Sequence, residues 1–205
     1  MALLLPLILA VYAFADVEFE KIPEESSQIV RVFDVKGDRA KMALYEKSGG
    51  KWRRVSKVWS VSIGRNGVGK TKEGDGKTPL GIYSLNEVYG YEDLNTSMPF
   101  YLSTEKTLCI DDVNSRYYNR IVDSEVVKRD YKSFEYMRRR DGLYEIVVTV
   151  GYNPRNISGR GSCIFLHIGS GDKPTAGCVA MEKEKIKRLV ERLNPKKKPL
   201  IVISE

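Results

Sequence analysis

Between positions 161 and 181 the chain reads GSCIFLHIGSGDKPTAGCVAM. The apolar run Cys163, Ile164, Phe165, Leu166 ends on His167, the one histidine of the protein, and Cys178 directly follows Gly177. Gly169, Gly171, Pro174 and Gly177 supply turn-forming residues between the two. A thiol attacks at neutral pH only as the thiolate, and an imidazole is the commonest side chain that takes its proton. If this is a thiol enzyme with an imidazole base, the base is His167, and the loop must fold back so that the two side chains meet. The same residues also fit a plainer account, a buried thiol and a hydrogen-bonded histidine at a strand end.

The rest of the chain reads as short β-runs broken by glycine turns. Residues 29–35, 41–45 and 52–63 are strand-like, joined through Gly37-Asp38 and Gly49-Gly50. Further runs follow at 82–88, 100–102, 107–110 and 200–203, and 144–151 (EIVVTVG in its core) is β-prone enough to be central in a sheet. Two segments have helical spacing: 131–139, with a basic face, and 182–193, where Ile186, Leu189, Val190 and Leu193 form an apolar stripe and Asn194-Pro195 stops the helix. The expected fold class is therefore mostly β, a sandwich or irregular barrel with one or two helices.

Composition narrows the function classes. At 205 residues, with 42% hydrophobic and 30% charged residues, the chain fits one globular domain. Its net charge of +7 favours an anionic partner. No nucleic-acid module accompanies that charge, so no nucleic acid is expected. The segment GVGKT lacks the spacing of a phosphate-binding loop, and no apolar helix follows it. One histidine and three scattered cysteines have no close ligand spacing, so neither metal nor cofactor is expected. Asp111 and Asp112 read as a turn with Asx-type hydrogen bonds rather than a carboxylate pair for acid–base work. The cysteines leave two arrangements open: Cys109 pairs with Cys163 and leaves Cys178 free, or all three stay reduced.

Residues 2–14 form a short apolar run and Ala13-Phe14-Ala15 reads as a cleavage site ahead of Asp16. The run is too short for a stable bilayer span. We read 1–15 as a signal peptide, 16–28 as a leader and 29–205 as the catalytic domain, with the protein exported to the periplasm or cell envelope. A buried first strand or helix is the competing account of the apolar run.

The wording around His167 and Cys178 resembles the L,D-transpeptidase catalytic domain, or YkuD domain, of peptidoglycan enzymes. The resemblance rests on His167, then Thr175, Ala176, Gly177, Cys178, Val179, in the branch whose signature ends Pro-Thr-Ala-Gly-Cys-Val-Ala. It extends upstream through Thr78-Pro79-Leu80-Gly81, Cys109 to Asp112, Tyr118-Asn119-Arg120 and Gly151-Tyr152-Asn153, in order. Many members carry arginine two positions after the cysteine; this chain has Ala180, and Arg160, Arg65 and Arg155 are the alternatives for its role.

The resemblance implies a transpeptidase acting on peptidoglycan stem peptides through a Cys178 thioester. His167 would be the base and form an ion pair with Cys178, the Ile168 carbonyl would orient the imidazole, and the N–H groups of Gly177 and Cys178 would hold the oxyanion. Thr175, Ala176, Tyr118, Asn119, Tyr152, Asn153 and Arg160 are the expected substrate contacts. The acceptor would be an amine of a second stem or of a lipoprotein. An L,D-carboxypeptidase, or a non-catalytic peptidoglycan-binding module, are the alternatives.

Overall fold

The computed structural model describes residues 21–170 and 172–205. The signal-peptide reading of 1–15 and leader residues 16–20 lie outside them. Of the remaining leader residues, Ile22 is buried against Ile29, Ala43, Tyr45 and Val202, and the Ser26 hydroxyl donates to the Lys198 carbonyl at 2.9 Å.

The chain forms strands β1 Gln28–Lys36, β2 Arg39–Ser48, β3 Lys51–Arg54, β4 Trp59–Ser62, β5 Gly81–Gly90, β6 Phe100–Leu102, β7 Thr107–Cys109, β8 Ile121–Asp123, β9 Glu135–Tyr136, β10 Ile146–Val150, β11 Phe165–Ile168, β12 Val179–Met181 and β13 Leu200–Ile203. Among the described residues one α-helix, α1 Lys183–Val190, and a 3-10 turn, Pro195–Lys197, precede β13. The large sheet runs β1-β13-β5-β10-β11-β12-β4-β2, and β2 pairs again with β1, which closes it as a barrel. β3 hangs on β2 and β6 on β5, while β8-β7-β9 form a separate small sheet. The structure is thus the mostly β, barrel-like fold expected from the run of short strands.

Period-two alternation decides what faces where. Along β10, Ile146, Val148 and Val150 belong to the barrel core, whereas Val147 faces outward with Tyr89, Tyr144, Phe165 and Cys178. Along β11, Leu166 points in and Phe165 out. α1 closes the barrel interior with Ile186, Leu189 and Val190, and Leu193 just beyond it joins the same cluster. Burying such an aliphatic side chain contributes about 1.5–3 kcal/mol, so the stripe accounts for the helix despite its short length.

Two expectations are corrected. Residues 52–63 are not one strand: β3 and β4 pair with opposite halves of β2, and the chain crosses between them with Ser56 Oγ accepting from Leu44 N–H at 2.9 Å. Residues 131–139 form no helix. The i, i+3 pattern of Tyr131, Phe134 and Met137 comes from an extended segment whose N–H groups are taken by neighbours, Lys132 N by Asp112 Oδ2 at 2.7 Å and Met137 N by the Thr107 carbonyl at 2.9 Å. There β9 pairs with β7 in the register Leu108↔Tyr136 and Cys109↔Glu135. Propensity was outcompeted by a free strand edge and by the Arg129 guanidinium, which lies over Tyr131 and Phe134 at 5.3 and 5.7 Å.

A Cys109–Cys163 disulfide, with Cα atoms 6.1 Å apart, ties the small sheet to the start of β11 and leaves Cys178 free. It closes a loop of 54 residues. By chain entropy such a crosslink stabilises by about 4 kcal/mol. Cys109→Ser/Cys163→Ser should therefore lower unfolding free energy by about that amount in urea titration, and an unchanged midpoint would contradict the structural role.

Candidate active site

β11 and β12 run parallel with Leu166↔Val179 and His167↔Ala180 in register. Leu166, Val179 and Met181 enter the core, so Phe165, His167, Cys178 and Ala180 share the outer face. The turn carrying Cys178 is fixed by two threonines. Thr175 Oγ1 accepts from Gly177 N–H at 3.1 Å and donates to the Cys178 carbonyl at 2.6 Å. Thr78 Oγ1 accepts from Gly64 N–H at 2.8 Å and approaches the same carbonyl at 3.4 Å. Gly177 has φ +154, and a Cβ there would stand 2.9 Å from the Lys77 carbonyl oxygen, so the turn has no room for a side chain.

The Cys178 thiol donates to the Cys163 carbonyl at 3.3 Å and accepts from Phe165 N–H at 3.4 Å. His167 Nδ1 lies 2.7 Å from the Ile168 carbonyl oxygen. A carbonyl only accepts, so Nδ1 carries the hydrogen and Nε2 keeps a lone pair for proton transfer. The Tyr144 ring stands edge-on to His167 at 5.1 Å and to Phe165 at 5.8 Å.

His167 and Cys178 are each 7% exposed. Burial lowers His167 to about 4, with the Ile168 carbonyl opposing that shift and the Arg139 charge adding to it. Burial and the nearby Glu135 carboxylate push Cys178 up to about 12, against the Phe165 N–H, Lys70 and Arg139. These shifts favour a neutral thiol and a neutral imidazole over the ion pair that the resemblance implies.

Cys178, His167, Ile168, Thr175 and Ala176 line one cavity of about 220 Å³, together with Glu135, Arg139, Leu143, Tyr144 and Ala180. Tyr118, Asn119, Tyr152, Asn153 and Arg160 do not line it. They hold the segment leading into β11. The Tyr118 hydroxyl accepts from Gly161 N–H at 2.9 Å and donates to Glu73 at 2.5 Å. Asn119 Oδ1 accepts from Cys163 N–H at 3.0 Å, while its Nδ2 donates to the Asn153 carbonyl at 3.0 Å. Asn153 Nδ2 donates to the Gly161 carbonyl at 3.0 Å, and the Tyr152 hydroxyl donates to the Arg160 carbonyl at 2.7 Å. Arg160 and Arg155 border a separate depression with Tyr83 and Tyr152. Asp112 forms the expected turn, accepting from Asn114 N–H at 2.9 Å. Gly177 N–H is engaged by Thr175, so it is not presented to a ligand in this state.

Sequence reasoning missed Glu135, Arg139, Tyr144 and Lys70. The first two lay in the misread helix, and Tyr144 in the run taken only as a central strand. Lys70 sat in a glycine- and lysine-rich loop with no local signal. Its ammonium is buried with Asp75 at 2.9 Å and would lie 3.6 Å from a Cβ at Gly177. Burial raises the Asp75 carboxyl, but the Thr71 N–H, the Lys70 ammonium and two further N–H groups hold it at about 2. Among the described residues no group of side chains could hold a metal ion, and no helix is long and apolar enough to cross a membrane.

With Cys178 at about 12, its alkylation by iodoacetamide in the free protein should rise about tenfold per pH unit from pH 7 to 10. A plateau below pH 8 would instead reveal a preformed thiolate–imidazolium pair.

No curated protein matches this chain. Among solved structures it is similar to the helical cell shape determining protein Pgp2 from Campylobacter jejuni, at 19% identity and TM-score 0.45, over 87% of this chain and 48% of that one. It is also similar to Bd1075 of Bdellovibrio bacteriovorus, at 17% identity and TM-score 0.47, over 88% of this chain and 48% of that one. The chain spans about half the length of both. The L,D-transpeptidase catalytic domain (YkuD) family matches over residues 31–202, which include every residue of the Cys178 cavity. By that match the chain belongs to the L,D-transpeptidase catalytic domain family.

Proposed function

We propose that this protein is an exported cysteine acyltransferase that acts on peptidoglycan stem peptides in the cell envelope, through a thioester on Cys178. The observation that carries this reading is the placement of Cys178 and His167 on one face of adjoining strands, lining one cavity, with the imidazole tautomer set by the Ile168 carbonyl.

In the first half-reaction the thiol passes its proton to His167 Nε2 as Sγ bonds to the carbonyl carbon between the diamino acid of the stem and its terminal D-alanine. Because the resting pair is neutral, proton transfer accompanies attack rather than preceding it. The Cys178 N–H is the oxyanion donor nearest the new bond, and Gly177 N–H joins it if the Thr175 hydroxyl turns away. The C–N bond breaks, and the D-alanine nitrogen leaves with the proton from Nε2. In the second half an acceptor amine, from a second stem or a lipoprotein, attacks the thioester. Its proton goes to Nε2 and then to the departing Sγ, which restores the thiol.

The test is intact mass after incubation with a carbapenem, an acylating agent for this class of thiol enzyme. One adduct is expected on the wild type and none on Cys178→Ser. Stem-peptide products made with and without added amine then separate transfer from hydrolysis: a product that incorporates the amine is expected, and hydrolysis alone would make the protein an L,D-carboxypeptidase. No adduct from a folded wild type that still binds sacculi would replace the enzyme reading with a wall-binding module.

A further inference from the structure

The cavity beside the thiol holds a charged group that the mechanism above does not use. Glu135 enters it from β9, half-buried, across the β7 pairing that places it opposite Cys109. Its Oε2 accepts a hydrogen bond from the Tyr144 hydroxyl at 2.5 Å. Among the described residues that is the only hydrogen bond to the carboxyl, and it forms no ion pair. Arg139, on the same wall, lies over the Tyr144 ring at 5.0 Å, with Nε and Nη2 committed to Asp141 at 2.9 and 2.6 Å.

Beside Cys178 this carboxylate opposes the chemistry. It disfavours the Cys178 thiolate, and burial also pushes its own carboxyl up. Both penalties reverse sign once a cation sits against it, because a neutralised carboxylate no longer repels a thiolate. Neither cation of the lining forms an ion pair with it: Arg139 is turned to Asp141, and Lys173 is exposed and makes no ion pair among the described residues. A ligand ammonium fits what the protein lacks.

We propose that Glu135, steadied by Tyr144, binds the free ammonium of the diamino acid in the donor stem peptide, so that only an amine-bearing donor completes the electrostatics around Cys178. This rests on the reading of the protein as a stem-peptide acyltransferase and names the donor group it selects. The substrate carries its own counter-charge into the site.

The experiment measures binding, without turnover, to the full chain carrying Cys178→Ala. The probes are a stem tetrapeptide with a free diaminopimelate amine, the same peptide with that amine acetylated, and the corresponding tripeptide pair lacking D-alanine. Acetylation should weaken tetrapeptide binding about tenfold, and in Cys178→Ala/Glu135→Gln the two tetrapeptides should bind alike. Glu135→Gln keeps a partner for the Tyr144 hydroxyl. Tyr144→Phe, which retains the ring against His167, should also reduce the ratio. Equal acetylation penalties with and without Glu135 would overturn the proposal. So would a penalty confined to the tripeptides, which would move the ammonium site to the acceptor. An inactive wild type that still shows the Glu135-dependent ratio would remove the acyltransfer reading and leave the ammonium site standing.

Discussion

The parallel pairing of β11 with β12 is the constraint on which the site depends. Its register places His167 and Cys178 on the outer face, while Leu166 and Val179 anchor both strands in a core with no exposure. A slip of one residue would turn the thiol into the barrel and a core side chain into the cavity. The surrounding hydrogen bonds resist such a slip. Two threonine hydroxyls converge on the Cys178 carbonyl, and Asn119 holds Cys163 N–H at the start of the neighbouring segment. The Cys163 carbonyl in turn receives the thiol, so the disulfide partner of Cys109 is also part of the nucleophile's immediate surroundings.

The protein's own groups favour a neutral thiol and a neutral imidazole. Desolvation alone moves thiol and imidazole apart in opposite directions, and the Glu135 carboxylate adds to the effect on the thiol. The fixed positive charges of Lys70 and Arg139 lie on the side that limits this penalty. Each is held by an aspartate, which keeps it in place but tempers its field.

Much of the architecture was legible because it depends on local rules. Alternating β-branched runs separated by glycine pairs gave strands close to their observed bounds, and the apolar stripe of 182–193 gave the helix, α1. The segment 131–139 failed because the spacing of Tyr131, Phe134 and Met137 satisfies a helix equally well. Only the vacant edge of β7, distant in sequence, made the extended form better. Tyr118, Asn119, Tyr152, Asn153 and Arg160, expected as substrate contacts, lie outside the Cys178 cavity. The side chains of the first four hydrogen-bond to the backbone that threads towards Cys163, where unsatisfied groups would be costly.

Sequence by itself determined which thiol and imidazole are the candidates for the chemistry. One histidine and one cysteine in a glycine turn leave a single thiol–imidazole pair, and the β-pattern around them sets a rigid frame. Tertiary structure decided the environment of that pair: the bridging of Cys109 with Cys163, the burial that pushes the thiol up, and the presence of Arg139 rather than Arg65, Arg155 or Arg160 in the cavity that Cys178 lines. The division has a physical reason. Side-chain chemistry and strand periodicity act within a few residues, whereas burial and Coulomb interactions depend on groups that meet only after the barrel has closed.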